Sequence, residues 1–399
     1  MRISTSGMHY NALTAMLQQQ SALSKIQNQI ATGKRVQTPA DDPAAAVHIL
    51  ELQRALQESD QYKANADMAT NRLSLEEQSL QDVGNLLTRV RTLAVQGNNA
   101  PLGSEDRRMI AIELRQRLGE LVDIANRRDA QGEFLFSGYA TRTQPFSMTA
   151  GGVSYDGDQG NRLLQIGPTQ RVEDSHSGFD VFLKIPEGNG SFVLGASAAN
   201  IGEGVLGASS VVDRAAWQAG AGDYTVSFTS ATGDYEILDS ANNQVGTGTY
   251  TAGGSIEFNG IKFDMTGMPA QGDRFTVSRS RSEDVFSTLQ GLIDTLEGTS
   301  APTQAHFSSN MAQALQQLDV TEDHLLQVRA EIGARLSALE SAESAREDQK
   351  VELKRMKSEL EDLDYAEAIT RMNQQLVGLQ AAQASYVQIS QLSLFNYLK

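Results

Sequence analysis

Hydrophobic positions recur in heptads at both ends of the chain and in short alternating runs in its middle. The first heptad seam comprises Leu13, Met16, Gln20, Leu23, Gln27 and Ile30, widened by Leu17 and Ile26. This spacing predicts a helix that packs on another helix, and its two glutamines weaken that packing while fixing the register. A turn over residues 38–43 ends it, and Asp42 before Pro43 suits the N-cap of a second helix.

Two more helices are predicted before the middle of the chain. The seam of the second consists of Leu73, Glu76, Leu80, Val83, Leu87, Val90 and Ala94, and Gly97 can terminate that helix. A third is expected to begin with Ser104 as its cap. Its apolar face consists of Ile110, Leu114, Leu118, Leu121 and Ala125. All three patterns are typical of helices that bury one face.

The C-terminal part repeats this organisation. Residues 282–284 open a short helix through Leu296, and residues 298–302 break it. A long seam then runs through Met311, Leu315, Leu318, Glu322, Leu325, Arg329, Ile332, Leu336 and Leu339. It spans about four heptads, more than a surface helix of a globular domain needs. A final seam comprises Ile369, Met372, Leu376, Leu379, Gln383 and Tyr386.

The middle segment, residues 137–282, has a different composition, with 23 of the 34 glycines and 14 of the 24 aromatic residues. Alternating runs around the turns at residues 232–234 and at Asn259-Gly260 predict two β-hairpins. Further strands are expected at residues 153–155, 163–166 and 181–185, as a second small sheet. The Gly/Ala/Ser-rich stretch 188–210 is then the boundary between two β modules.

These patterns predict a multi-domain α+β fold: a long, coiled-coil-like helical rod formed by the two arms, with an inserted all-β region of two small modules. Residues 1–42 and 356–399 are expected to be terminal assembly helices, frayed or disordered in the monomer. Residues 43–136 with 283–355 form the rod, and residues 137–282 the outer β region. A helix whose seam has no partner buries none of it, so the outer arms should become stably helical only on association.

Composition narrows the functional classes. The chain has 399 residues, no cysteine and a net charge of −16. The missing cysteines exclude disulfides and thiolate chemistry, and the acidic balance argues against nucleic-acid binding. No run of about 20 apolar residues could span a bilayer, and the first residues do not form a conventional signal peptide.

Candidate chemistry is sparse, and the sequence predicts no catalytic site, metal site or cofactor. The five histidines, His9, His48, His176, His306 and His324, include no pair four residues apart that could ligate a metal from one helix face. The carboxylate pairs Asp41-Asp42, Glu76-Glu77 and Glu361-Asp362 are expected to be caps or solvated faces. The aromatic stretch 132–139 is expected to dock the β insert onto the helices.

Several of these segments together resemble the flagellin-related hook-associated proteins of bacterial flagella, and within that family the hook-filament junction members. The resemblance lies in residues 1–6, 30–36 and 40–44 at one end, and in 328–336, 384–386 and 393–398 at the other. Residues 132–139 and 272–277 add to it. It covers both arms and the order of parts along the whole chain.

The resemblance implies a structural, non-enzymatic protein, exported by the flagellar type III apparatus without a cleaved signal and located extracellularly at the hook-filament junction. Its implied partners are other copies in a ring or helical layer, hook-associated protein 1, flagellin, and an export chaperone on the C-terminal arm. The expected assembly interface comprises apolar residues of both arms: Leu13, Met16, Leu17, Leu23, Ile26, Ile30, Ile369, Met372, Leu376, Leu379, Tyr386, Ile389, Leu392 and Phe395.

Two alternatives stay open from the sequence. The first is flagellin itself, the filament subunit, against which the C-terminal residues 395–398 argue. The second is a secreted enzyme or adhesin carried on flagellin-like arms, which the missing histidine pair and absent cysteines disfavour. Localisation separates these hypotheses, since a junction protein occupies one zone and a filament subunit is spread along the filament.

Overall fold

Helical segments precede and follow a central all-β region along the chain. The computed structural model describes residues 5–99, 102–220, 222–298 and 303–391. Its helices are α1 (Thr5–Thr32), α2 (Pro43–Gly97), α3 (Ser104–Ala125), α4 (Arg214–Ala219), α5 (Val285–Leu296), α6 (Gln304–Glu361) and α7 (Tyr365–Gln391). The predicted fold class, helical ends with a β-rich insert, is confirmed.

The chain divides into two compact units. The terminal unit contains residues 1–64 and 341–399, and the central unit contains residues 65–340. Helices α2 and α6 contribute residues to both units. The rod boundary expected after residue 355 therefore falls inside α6, which continues to Glu361.

The helix limits follow local chemistry. The N-cap role of Asp42 is confirmed, since its carboxylate accepts a hydrogen bond from the Ala45 amide at 3.0 Å, and Pro43 opens α2. Asp284 caps α5 in the same way, through the Ser287 amide at 2.7 Å. The α2 seam is buried, since every member from Leu73 to Ala94 is inaccessible to solvent.

Two helix ends differ from the sequence prediction. Ser104 is the first residue of α3 rather than its cap; Gly103 holds the cap position and its amide donates to Asp106 at 3.2 Å. Helix α1 ends at Thr32, before the proline turn. It stops there because Gly33 adopts φ of +70°, a left-handed conformation that terminates helices and favours glycine.

The β region contains fourteen strands among the described residues. They are β1 (Phe146–Thr149), β2 (Gly152–Tyr155), β3 (Leu163–Gln165), β4 (Arg171–Glu173), β5 (Ile185–Pro186), β6 (Phe192–Ala196), β7 (Val205–Val211), β8 (Tyr224–Phe228), β9 (Asp234–Asp239), β10 (Gln244–Thr249), β11 (Ser255–Phe258), β12 (Ile261–Thr266), β13 (Arg274–Arg279) and β14 (Ser282–Glu283).

All strand pairs are antiparallel. Strands β1–β2 and β3–β4 form separate hairpins, and β5 pairs with β14. A five-stranded sheet has the order β10-β9-β8-β13-β6, and a three-stranded sheet the order β11-β12-β7. These two sheets share one hydrophobic core that includes Trp217, Phe228, Phe263 and Phe275. Both predicted hairpins are present, with Asn259 and Gly260 at positive φ in the second turn.

The strand predicted over residues 181–185 is wrong. Residues Phe179–Leu183 form a π-helical turn, and only Ile185–Pro186 pair as a strand. Val181 and Phe182 are consecutive and both fully buried, which a strand with alternating faces does not allow in a half-buried sheet. The stretch 188–210, predicted as a boundary, contains β6 and the start of β7.

Candidate assembly surface

Helices α1 and α7 form an antiparallel pair in the terminal unit. They approach closely at Gly378, where a Cβ atom would lie 2.5 Å from the Gln19 amide nitrogen. At the other end of the pair, Gly33 lies against the Tyr365 hydroxyl. A larger side chain would strain the backbone at Gly33, where φ is +70°, whereas at Gly378 it would displace only the end of the flexible Gln19 side chain.

The loop after α1 is tied to the segment between α6 and α7. The Arg35 amide donates to the Glu361 carbonyl at 2.7 Å, and the Leu363 amide donates to the Gly33 carbonyl at 3.0 Å. The Lys34 ammonium lies 2.5 Å from the Glu361 carboxylate, and the Arg35 guanidinium donates to the Leu360 carbonyl at 2.8 Å. These contacts fix where α1 and α7 begin to run alongside each other.

Charge stabilises this connection. The hydrogen bond and charge of Glu361 raise the pKa of Lys34. Burial acts to raise the pKa of Glu361, but the ammonium groups of Lys34 and Lys357 outweigh it and the pKa is lowered. Asp41 accepts from Lys25 and from the amides of Thr38 and Gln37, which together lower its pKa. Of the pair expected to be caps or solvated, Asp42 caps α2, whereas Asp41 holds the turn before it through the amides of Gln37 and Thr38.

The predicted interface residues do not share one environment. Leu23 is buried, whereas Leu13, Leu17 and Ile369 are exposed. The remaining described members are half-buried: Met16, Ile26, Ile30, Met372, Leu376, Leu379 and Tyr386. The side chain of Ile389 and the whole of Leu392 and Phe395 lie outside the described residues. A two-helix pair covers only one stripe of each helix, so much of the seam stays accessible.

Other large apolar side chains of the terminal unit are also exposed, and the sequence analysis missed them. They are Tyr10, Val47, Leu50, Val351, Tyr365, Val377 and Val387. Val377 is 65% exposed and Leu17 is 58% exposed. Apolar residues at helix positions off the heptad seam were the sequence signal that could have revealed these exposed side chains. Exposed apolar side chains that lie close together favour a surface covered by another protein, whereas single ones are normal on a folded protein.

Four histidines have environments of their own rather than a common site, and the side chain of His9 lies outside the described residues. His176 is buried beside Glu76, with Nδ1 2.8 Å from the carboxylate, and its Nε2 lies 3.3 Å from Glu331. Burial opposes the charged imidazole, but Glu76 outweighs it and the His176 pKa is raised. His306 and His324 each lie within hydrogen-bond distance of a backbone carbonyl, and His48 is exposed.

Glu76 was expected on a solvated face, and that expectation is wrong. Its carboxylate is inaccessible to solvent and accepts the His176 amide as well as facing its ring. Nearby, the buried Arg72 guanidinium lies 2.5 Å from Asp129 and 3.5 Å from Asp174. These paired charges join α2 to the segments before β1 and after β4, which is a packing role.

The aromatic stretch 132–139 packs the β hairpins against the helices, as predicted. Phe136 contacts Phe182, with ring centroids 5.1 Å apart, and Phe146 lies between Phe182 and Phe286 at 5.4 and 5.1 Å. Phe286 belongs to α5, so the cluster links the β1 strand and the π-helical turn to that helix. Tyr139, at the end of the stretch, is exposed.

The part of the chain that the structure describes was also compared with the requirements of a metal site and of a membrane-spanning helix. No cluster of three or more histidine or carboxylate ligands suited to a metal ion occurs there. Within the same residues, no helix is both long and apolar enough to cross a membrane. The described part of the terminal unit combines several exposed large apolar side chains with few buried ones.

Comparison with known proteins gives three matches to family models. The bacterial flagellin N-terminal helical region matches residues 3–141, and the flagellin C-terminal helical region matches residues 310–398. The D2-like domain of flagellar hook-associated protein 1 matches residues 196–279.

Individual relatives agree with these models. The chain is 32% identical over 196 residues to flagellar hook-associated protein 3 of Salmonella typhimurium, an alignment that covers 48% of this chain and 61% of that protein. A crystal structure of Xanthomonas campestris FlgL is 34% identical, with a TM-score of 0.70, covering 77% of this chain and 99% of that one. Hook-associated protein 3 from Legionella pneumophila is 30% identical, with a TM-score of 0.73, covering 78% and 98%. The chain therefore belongs to the flagellar hook-associated protein 3 (FlgL) family.

Proposed function

We propose that this chain is a structural component of the bacterial flagellum that joins hook-associated protein 1 to the flagellin filament and assembles through its terminal helices. A solved Legionella pneumophila relative is described as a flagellar junction protein, and the chain covers 99% of it at 30% identity. The observation that carries the proposal is the exposed apolar surface of α1 and α7. A structural role needs such a surface and no catalytic site.

The terminal unit supplies the contacts in this proposal. Leu17 and Ile369 of the expected interface are exposed, as are Tyr10, Val377 and Val387 on the same two helices. Covering one such side chain contributes about 1.5 to 3 kcal/mol, so several together can stabilise a contact between subunits. The proposed interface thus includes the exposed members of the heptad seam and the exposed apolar residues outside it.

The same reasoning favours terminal helices that are frayed in the monomer and become stable on assembly. Half-buried seams give α1 and α7 little stability of their own, and weakly stabilised helices open easily. We expect fast amide hydrogen exchange in residues 5–32 and 365–391 of the purified chain and slow exchange in the central unit. Slow exchange throughout both terminal helices of the monomer would contradict this part of the proposal.

Such helices also fit export in an unfolded state, through the flagellar type III apparatus and without a cleaved signal, to an extracellular site. A dedicated chaperone bound to the C-terminal arm would cover its apolar face before assembly. Copies placed side by side would form a ring or a helical layer, with hook-associated protein 1 on one side and flagellin on the other.

The first test removes the gene and examines the cells by electron microscopy. Hooks without filaments, with flagellin released into the medium, are the expected result, and restoring the gene should restore filaments. A labelled chain should occupy one zone between hook and filament. Normal filaments after deletion would refute the junction role, and label along whole filaments would favour a flagellin instead.

The second test addresses the surface itself. Leu17→Ser combined with Val377→Ser should leave the chain folded but reduce its incorporation at least tenfold. The matched control is Leu163→Ser with Val245→Ser, two central-unit residues that are 56% and 53% exposed. A truncation lacking residues 369–399 should fail to assemble while the β region stays folded. Equal incorporation of both double variants would exclude α1 and α7 as the interface.

A further inference from the structure

A groove in the central unit is lined by cations in a chain whose net charge is −16. Its volume is about 590 Å³, and Lys184, Arg214, Arg279 and Arg281 line it together with the edge of Trp217. No aspartate or glutamate is among its described lining residues. Three carboxylates, those of Asp213, Glu187 and Glu283, neighbour lining residues in the sequence but are not part of the lining. Asp213 instead caps α4 through the Ala215 and Ala216 amides. The described lining therefore contains cationic groups and no anionic one.

Two of these arginines have free side chains. Among the described residues, no carboxylate lies within ion-pair distance of Arg214 or Arg281, and no hydrogen bond engages either guanidinium. Arg279, by contrast, donates to the carbonyls of Gln218 and Gly220 at 3.3 and 2.9 Å and so maintains the groove wall. Lys184 is 3.6 Å from Asp180. Arg214 and Arg281 are therefore the groups available to an incoming anion.

The charge on the five-stranded sheet changes sign between its β6 edge and its β10 edge. Strand β13, next to the groove, contains Arg274 and Arg279 and no acidic residue. Strand β9, two positions away toward the β10 edge, contains Asp234, Glu236 and Asp239 and no basic residue. From residue 215 to residue 261 the sequence has five acidic residues and no lysine or arginine. The part of this sheet toward β10 is therefore acidic, and the part around β13 is basic. The first is called the acidic β9–β10 side.

We propose that the basic groove of one copy binds the acidic β9–β10 side of a second copy. This inference rests on the proposed function in that it needs copies to lie side by side. Strongly acidic chains repel each other, so a surface free of carboxylates is where a neighbour's acidic surface can approach at least cost. Arginine pairs with carboxylates in a planar, two-pronged geometry, which favours this choice of partner group.

The contact joins two different surfaces, and this has a consequence for assembly. A head-to-tail contact leaves a free groove at one end of a pair and a free acidic edge at the other, so further copies can add. The central units would then contribute electrostatic specificity to an assembly whose apolar contacts come from the terminal helices. Because the pairs are exposed, added salt should weaken the contact.

The first experiment measures self-association of the purified full-length chain by sedimentation. Association should be detectable at about 0.01 M salt and weaken at about 1 M, where charges are screened over a few ångströms. Arg214→Glu with Arg281→Glu should weaken it at least tenfold. The control, Arg142→Glu with Arg171→Glu, makes the same change in net charge at exposed arginines outside the groove. Equal weakening by both variants, or no salt dependence, would overturn the proposal.

Charge exchange tests the pairing directly. Glu236→Arg should weaken association by itself and should partly restore it when added to Arg214→Glu with Arg281→Glu. Additive losses without any restoration would exclude Glu236 as part of the partner surface. Circular dichroism of each variant verifies that the β region is folded.

Cross-linking provides the second readout, because the chain has no natural cysteine. Thr247→Cys, opposite Glu236 on β10, and Ser282→Cys, beside Arg281, leave all the charges in place. Thr247 aligns through Glu236 and Ser227 with Arg274, and Arg279, where β13 ends, is about 16 Å farther along that strand. Ser282 follows this end of β13, which places it too far from Thr247 for a disulfide within one chain. Mild oxidation should give a ladder of multimers.

The control pair is Thr247→Cys with Ala150→Cys, which should give no ladder. Ladders of equal strength from both pairs, or from neither, would overturn the proposed contact. This result is independent of location in the cell. If the chain is found at the junction but its groove variant behaves like the control, the groove contact alone is disproved. If the chain associates through the groove but is absent from the junction, the proposed function alone is disproved.

Discussion

The terminal and central units contain heptad seams of the same spacing, but these seams are buried to different extents. In the central unit the seam of α2 is completely buried, since β segments and other helices of that unit surround it. In the described part of the terminal unit the buried hydrophobic residues are only Leu23, Val36, Ala45, Ile49 and Ala368, none of them aromatic. The amount of surface covered thus depends on how many elements a unit contains rather than on the repeat itself.

We infer from this comparison that the central unit is stable by itself and that the terminal unit supplies the assembly contacts of the proposed function. The central unit has aromatic clusters and buried ion pairs that hold it together without a neighbour. The terminal unit has capped helices, a defined loop connection and apolar faces that remain accessible. Substitutions in the first should therefore change folding, and comparable substitutions in the second should change association.

The largest effect is expected at the centre of the aromatic cluster. Phe182→Ala should destabilise the central unit by about 3 to 5 kcal/mol, because its fully buried ring contacts Phe136, Phe146 and Phe286. Denaturant unfolding of the purified chain measures this. Met148→Ala, on the β1–β2 hairpin and exposed, is the control and should change the free energy by less than about 0.5 kcal/mol. Similar losses in both would show that the ring is not an anchor.

The next largest effect on the free energy of unfolding is expected from the buried charges around Arg72. Arg72→Met is expected to cost about 3 kcal/mol, because Asp129 would remain buried without its main cation and Asp174 would keep only Arg162. The measurement is again the free energy of unfolding, with the exposed Arg142→Met as control. A neutral or stabilising result would mean that the ion cluster serves specificity and not stability.

The sequence predicted the large helices and their buried faces because heptad spacing and caps are local signals. It predicted the hairpin at Asn259 and Gly260 for the same reason, since both residues tolerate positive φ. The aromatic stretch 132–139 was also assigned its packing role correctly. Glycine and proline positions gave most of the breaks between elements.

Other features depend on contacts between distant residues and could not be read locally. Glu76 and His176 are 100 positions apart, so their pairing has no signal in the sequence. The π-helical turn at Phe179–Leu183 occupies a segment whose composition is typical of a strand. For the proposed interface, the heptad seam was predicted, but the exposure of Val377 and Val387 was not, because the number of neighbours around a helix is a property of the fold.

A smaller, pH-dependent effect is expected at Glu283, where the chain leaves the β region. Burial, together with the charges of Glu187 and Asp284, raises the pKa of this carboxyl to about 7 from 4.5. The folded state therefore favours the protonated form. Its contribution to stability is full below about pH 4.5 and is lost as the pH rises through about 7.

Glu283→Gln mimics the protonated carboxyl, so the variant should match the parent chain near pH 4.5. At about pH 8 it should be more stable by about 1 to 2 kcal/mol, a value reduced for partial exposure. Thermal unfolding at the two pH values measures this, with the exposed Glu257→Gln as control. A difference that does not change with pH would contradict the assignment.

The smallest effect on stability is expected on the surface that matters most for assembly. Leu17→Ala should change the unfolding free energy of the isolated chain by less than about 0.5 kcal/mol, because its side chain has little contact to lose. A buried leucine replaced in the same way costs about 2 to 5 kcal/mol, as Leu80→Ala in the central unit should show. If the Leu17 variant were as unstable as the Leu80 variant, the terminal face would be covered within the monomer. The division of stability and assembly between the two units would then be wrong.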